Sequence, residues 1–124
     1  MKKQLLFLFS FFCISINSLY AQNDYFVGDI SITNIDAEYI EIRPQNRTFN
    51  TGFILFVDFG QPSNSLSRND TRLKTFDNKD VIFNSRIDAL NFMLSQDYEH
   101  VSSYTTSEDI ASQFYYLLRK VKRN

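Results

Sequence analysis

The chain is poor in the residues that carry most recognisable chemistry: its 124 residues include one cysteine, one histidine, three glycines and two prolines. Cys13 has no second thiol to pair with and lies in the apolar N-terminal run. If that run is removed, the remaining chain has no disulfide, no reactive thiol and no thiolate metal site. His100 stands beside Glu99, and neighbours on a strand point to opposite faces, whereas zinc needs several convergent ligands. No metal and no cofactor are expected. The glycines form no phosphate-cradling loop, and no Gly-x-Ser-x-Gly elbow supports the many serines as nucleophiles. Basic charge is also in short supply, with 13 lysines and arginines against 14 acidic residues. That balance gives no electrostatic footprint for nucleic acid. Tyr115, Tyr116, Arg119, Lys120, Lys122 and Arg123 do interleave aromatic and basic residues, as stacking platforms do. The simpler reading is core aromatics followed by a solvated basic tail, too short to bind lipid strongly. No nucleic-acid partner is expected.

What the chain does have begins with a leader. Lys2 and Lys3 precede an almost unbroken apolar run from Leu5 to Ile16, and Asn17 to Ala21 supplies a polar break and a small residue. This is the pattern of a secretory signal peptide, 1–21, cut after Ala21. The run is too short for a comfortable membrane span. Removing 21 of 124 residues leaves 103, and taking Lys2 and Lys3 from the 13 basic residues leaves 11 against 14 acidic ones, a net charge of −3. Residues 22–124 then make one small domain. The expectation is an exported protein, periplasmic or secreted, with no transmembrane segment after cleavage.

The organising stretch is Phe83 to Tyr104. Ser85 is a good N-cap with Asp88 three residues on, and that carboxylate suits the positive end of the helix dipole. Ile87, Leu90 and Leu94, with Ala89 and Met93 beside them, predict the buried stripe of a short helix ending near Gln96-Asp97. Phe92 falls at the edge of the polar face. Strands are expected at Phe26–Thr33, Glu38–Arg43, Thr51–Phe59, Arg72–Phe76, Val81–Phe83, Tyr98–Tyr104 and Gln113–Lys120. Pro44 should end the second, since it cannot donate to a ladder. Thr51–Phe59 is apolar on both faces and reads as a central strand, or as one with a face partly exposed. Asp77 to Asp80 reads as a tight hairpin, Thr105–Ser112 as a polar link and Gly60–Thr71 as the longest loop. The fold class is α+β: a mostly antiparallel sheet with a single helix on one face, in the order β-β-β-β-β-α-β-β.

Phe83-Asn84-Ser85, Ile87 to Met93, Tyr98-Glu99 and Tyr116 to Lys120 resemble small exported proteins of Bacteroidetes that have no assigned function. Tyr39 to Ile42 and Val57 to Gln61 are similar to that group as well, so the resemblance spans most of the chain after the leader. More distantly, the helix, turn and aromatic-Glu strand resemble a widespread small domain of unknown function. That domain usually has Gly-Trp-Glu after its helix, where this chain has Asp97-Tyr98-Glu99. Neither resemblance implies an activity or a catalytic residue.

These features favour a non-enzymatic module that binds another envelope or secreted protein through an edge strand or apolar patch. The candidate contacts are Phe53, Phe56, Asp58, Gln61, Arg68 and Tyr115, on the Thr51–Phe59 stretch, the following loop and the last strand. A different class is a small-ligand or lipid carrier with a pocket lined by Phe53, Phe56, Leu90 and Met93. A hydrolase would rest on Asp58, at the end of a very apolar strand. Asp and Gly at a strand end are more often a turn, so no catalytic residue is assigned. The two sequons, Asn46-Arg47-Thr48 and Asn69-Asp70-Thr71, carry no weight behind a bacterial leader.

Overall fold

The computed structural model describes residues 24–62, 71–108 and 111–122. The expected leader and Arg68 lie outside the described residues. Within them run β1 (Tyr25–Val27), β2 (Ile30–Ser31), β3 (Tyr39–Asn46), β4 (Phe53–Asp58), β5 (Leu73–Thr75), α1 (Arg86–Ser95), β6 (Tyr98–Glu108) and β7 (Ala111–Lys120). The strands are antiparallel and form two sheets, β2-β1-β5 and β4-β3-β7-β6. The helix packs against the larger one, touching β3, β4 and β6. The α+β plan is the one expected from the sequence, and the element order matches it roughly.

The core lies between the larger sheet and the helix. Ile40 and Ile42 of β3, Leu55 and Val57 of β4, and Tyr116 and Leu118 of β7 share one sheet face and are buried with Ala89 and Met93 of the helix. Val27, Leu73, Ile32 and Ile35 close the same cluster from the smaller sheet and the turn after it. Each such side chain stabilises by about 1.5–3 kcal/mol relative to exposure.

Local chemistry sets the element ends. Ser85 Oγ accepts from the Asp88 N–H at 3.0 Å, and the Asp88 carboxylate accepts from the Asn84 N–H at 2.9 Å. At the other end Asp97 takes a positive φ of 67°, and its carbonyl accepts from the Val121 N–H. Asn78, at φ 63°, closes the β5 turn, with the Thr75 N–H donating to Lys79 O at 2.9 Å.

Several boundaries differ from the sequence reading. Phe26–Thr33 is not one strand: Gly28, at φ 60°, turns β1 back into β2, and Ile32–Asn34 forms a single 3-10 turn. Val81–Phe83 is held by the one bridge Phe53↔Phe83 and by the Val81 N–H donating to Leu73 O, rather than by a ladder. Thr105–Ser112 is largely strand, because β6 and β7 pair out to Glu108↔Ala111. β3 runs through Pro44 to Asn46. Its ladder to β7 ends at Ile42↔Tyr116, so the proline sits where only β4 is paired with β3. β4 is not central in its sheet; it is an edge strand whose free side is met by bridges to Phe83 and Arg72.

The helix is where expected, but its buried face is rotated. Ala89 and Met93 are fully buried, while Ile87 and Leu94 are 55% and 37% exposed. Phe92 turns inward, edge-on to Tyr25 with centroids 4.8 Å apart and against Phe83 at 5.4 Å. The smaller sheet claims that side of the helix, which no pattern within the helix records.

Candidate functional site

The larger sheet has a second face, which nothing in the described structure covers. Side chains alternate across a strand, and none of the buried residues on β3, β4 and β7 belongs to the parity of Glu41, Phe56 and Tyr115. On this open face β4 places Ile54, Phe56 and Asp58, β3 places Tyr39, Glu41 and Arg43, and β7 places Tyr115, Leu117 and Arg119. β6 adds Glu99, Ser102 and Tyr104. A bulge at Val101 makes this possible, because it shifts the register between His100 and Ser102. Tyr98 before the bulge points into the core, and Tyr104 after it points out.

The face is ordered by its own contacts. Tyr104 and Tyr115 are opposite one another in the ladder and stack nearly parallel, centroids 4.9 Å apart. The Tyr104 hydroxyl donates to Glu41 Oε2 at 2.7 Å across β7. That bond to a carboxylate pushes the Tyr104 phenol up to about 12, because ionising it would set two negative charges together. The Arg119 guanidinium pairs with Glu99, which raises its already high pKa, with Tyr39 beside it adding to the effect. Arg43 lies over the Phe56 ring, 4.3 Å from its centroid, and donates to Gln45 Oε1 at 2.6 Å. Tyr39 and Tyr104 keep close to half of their surface in water.

The expected contact residues separate on this framework. Phe56, Asp58 and Tyr115 lie on the open face, while Phe53 packs partly buried against the core. Asp58 is exposed and accepts from the Gly60 N–H at 2.9 Å, the ordinary hydrogen bond of an aspartate turn. Gln61 accepts from the Phe59 N–H at 2.7 Å and donates to Val57 O at 2.8 Å, so its amide holds the end of β4. Phe56 is on the opposite face from Phe53, Leu90 and Met93, and these four do not line one pocket. His100 is on the helix face of β6, its ring centroid 6.0 Å from that of Tyr116. Among the described residues no three His, Cys, Asp or Glu side chains converge, and no helix is long and apolar enough to cross a membrane.

Tyr39, Glu41, Arg43 and Tyr104 were not among the candidates. Their strands alternate in the sequence, but joining them on one face requires the β3–β7–β6 register and the bulge. Comparison with protein-family models, with curated proteins and with solved structures returned no match to this chain.

Proposed function

We propose that the chain is an exported, non-enzymatic bacterial module that binds another protein or a component of the cell envelope. The observation that carries the reading is the face of the larger sheet that no described element covers, where Tyr39, Phe56, Tyr104, Tyr115 and Leu117 stand among charged side chains. Tyrosine supplies a large contact area at low conformational cost and a polar edge that tolerates water before the partner arrives. The stacks and the Tyr104–Glu41 bond hold the side chains in place, which lowers the entropy lost on docking.

The test places a photo-crosslinking residue at Ser102, on the open face, in the full chain expressed in its own cells. One reproducible adduct is expected, and it should disappear when Tyr104→Ala and Tyr115→Ala are combined. The same variant should keep a cooperative unfolding transition. Absence of any adduct, or an adduct indifferent to the two tyrosines in a folded variant, would overturn the reading.

A further inference from the structure

The larger sheet splits at one end. β3 and β7 are paired from Tyr39↔Arg119 to Ile42↔Tyr116 and then part. β3 continues beside β4 as far as Asn46↔Phe53, and β7 is paired with β6 from Ala111↔Glu108 onward. Each strand therefore keeps one partner while its other side runs along a notch. A cleft of about 470 Å3 occupies the notch, lined by Arg43, Pro44, Gln45, Arg86, Gln113 and Phe114 among others.

The two walls of the notch are not equivalent. On β3, Pro44 lacks an N–H, which spoils that edge for pairing. On β7, Ser112 and Phe114 turn their backbone N–H and C=O toward the notch, while Gln113 and Tyr115 turn theirs to β6 in the two-stranded ribbon. An edge of this kind recruits an extended strand.

The charges at the notch say what such a strand carries. Arg43 reaches it from the open face and Arg86 from the first turn of the helix, on the covered face. Each guanidinium lies on an aromatic ring, Arg43 on Phe56 at 4.3 Å and Arg86 on Phe114 at 3.5 Å. Among the described residues neither is paired with a carboxylate. Stacking fixes the plane of a guanidinium and leaves in-plane N–H donors for a carboxylate; on Arg43 one terminal nitrogen already donates to Gln45 Oε1, and the acid meets the remaining donors. Successive side chains of a strand point to opposite faces, so neighbouring residues of a strand in the notch face Arg43 and Arg86 in turn.

We propose that the notch between β3 and β7 binds an extended acidic peptide segment, paired with Ser112–Tyr115 of β7, whose adjacent carboxylates meet Arg43 on one face and Arg86 on the other. This rests on the chain being a binding module, and it names the partner's chemistry at a place separate from the tyrosine face.

The experiment measures fluorescence anisotropy of three labelled peptides with the purified product of the full chain. All share a Thr/Val-rich host; one has two adjacent acidic residues, one has the same acids two positions apart, and one has adjacent lysines. Adjacent acids should bind about tenfold tighter than the separated pair, which presents both charges to one face. The lysine peptide should not bind, and added salt should weaken the acidic complex. Arg43→Gln and Arg86→Gln should each lose about tenfold in affinity. Backbone amide resonances of Ser112 and Phe114, which face the notch, should shift on titration with the adjacent-acid peptide. Equal affinity for the two acidic spacings, no binding of any peptide, or amide shifts confined to other strands would overturn the proposal, and none of these readings depends on a variant folding. If the peptides fail while the Ser102 adduct persists, only the notch is refuted; if both fail, the module reading falls with it.

Discussion

Gly52 closes the turn between β3 and β4, where the Arg47 N–H donates to its carbonyl at 3.1 Å. Its φ is +96°, and a Cβ there would stand 2.8 Å from Ile82 Cγ2 and 3.0 Å from the Phe83 carbonyl oxygen. Gly60, at φ +88°, has open space around the same position. Gly60→Ala should therefore cost the backbone strain alone, about 1–2 kcal/mol, and Gly52→Ala visibly more, because the Phe53–Phe83 bridge must also shift. Chemical denaturation of the two variants side by side measures the difference. At the same scale, Tyr104 predicts a pH response. Its phenol ionises near 10 when free and is pushed up to about 12 beside Glu41. A raised pKa means that the folded state favours the neutral form. The contribution is whole below pH 10 and is lost as pH rises towards 12. Titration of tyrosinate absorbance should show a late-ionising component that Tyr104→Phe reduces, the remainder belonging to Tyr98, which burial also raises, and wild type should lose more stability than that variant across this interval.

At the scale of elements, the helix separates what sequence could reveal from what it could not. Its position was legible because the signals are local: Ser85 and Asp88 cap it, and Asp97 accepts a left-handed backbone. Its buried face was not, because Ile87 and Leu94 are as apolar as the residues that pack, and only the approach of Tyr25 and Phe83 decides in favour of Phe92. The energetic consequence is specific. Met93 is fully buried against the sheet, so Met93→Ala should destabilise by about 2–5 kcal/mol. Ile87→Ala, on the exposed side, should change stability by only about 0.5 kcal/mol. Thermal unfolding of both variants checks the assignment, and a large loss at Ile87 would return the stripe to the face that periodicity favoured. The strands behave likewise. Inward and outward alternation on β7 was readable from Phe114, Tyr116 and Leu118, whereas Pro44 misled because its tolerance depends on where β7 leaves β3. The face of Tyr104 was not legible for the same kind of reason: without the bulge at Val101 it would share the face of Tyr98.

At the scale of the molecule, the antiparallel plan with one helix followed from alternation and capping, but the candidate sites arise only where separate elements meet. The open face needs three registers, and the notch needs two strand pairs to diverge. That divergence also sets how firmly different parts of β6 and β7 are held. Near Tyr98–His100 and Tyr116–Lys120 the two strands are backed by β3, the helix and the fully buried Leu118. Beyond Tyr116 they continue as a two-stranded ribbon, and isolated ribbons are only marginally stable in water. The β6 side chains from Ser102 to Thr105 are exposed on both faces, so opening this ribbon sacrifices backbone bonds, the Tyr104–Tyr115 stack and the Tyr104–Glu41 bond, but none of the buried core. Local opening free energies follow buried contacts. Native-state amide exchange should therefore show Ile42, Leu117 and Leu118 among the slowest amides, close to the global unfolding limit, and Tyr104, Thr106 and Gln113 exchanging much faster through local opening. An acidic peptide seated in the notch would add a third strand to the ribbon and should slow Ser112 and Phe114 selectively. Uniform protection along β6 and β7 in the free protein would mean that the ribbon opens only with the rest of the fold, and that the notch is not a place where pairing has been left incomplete.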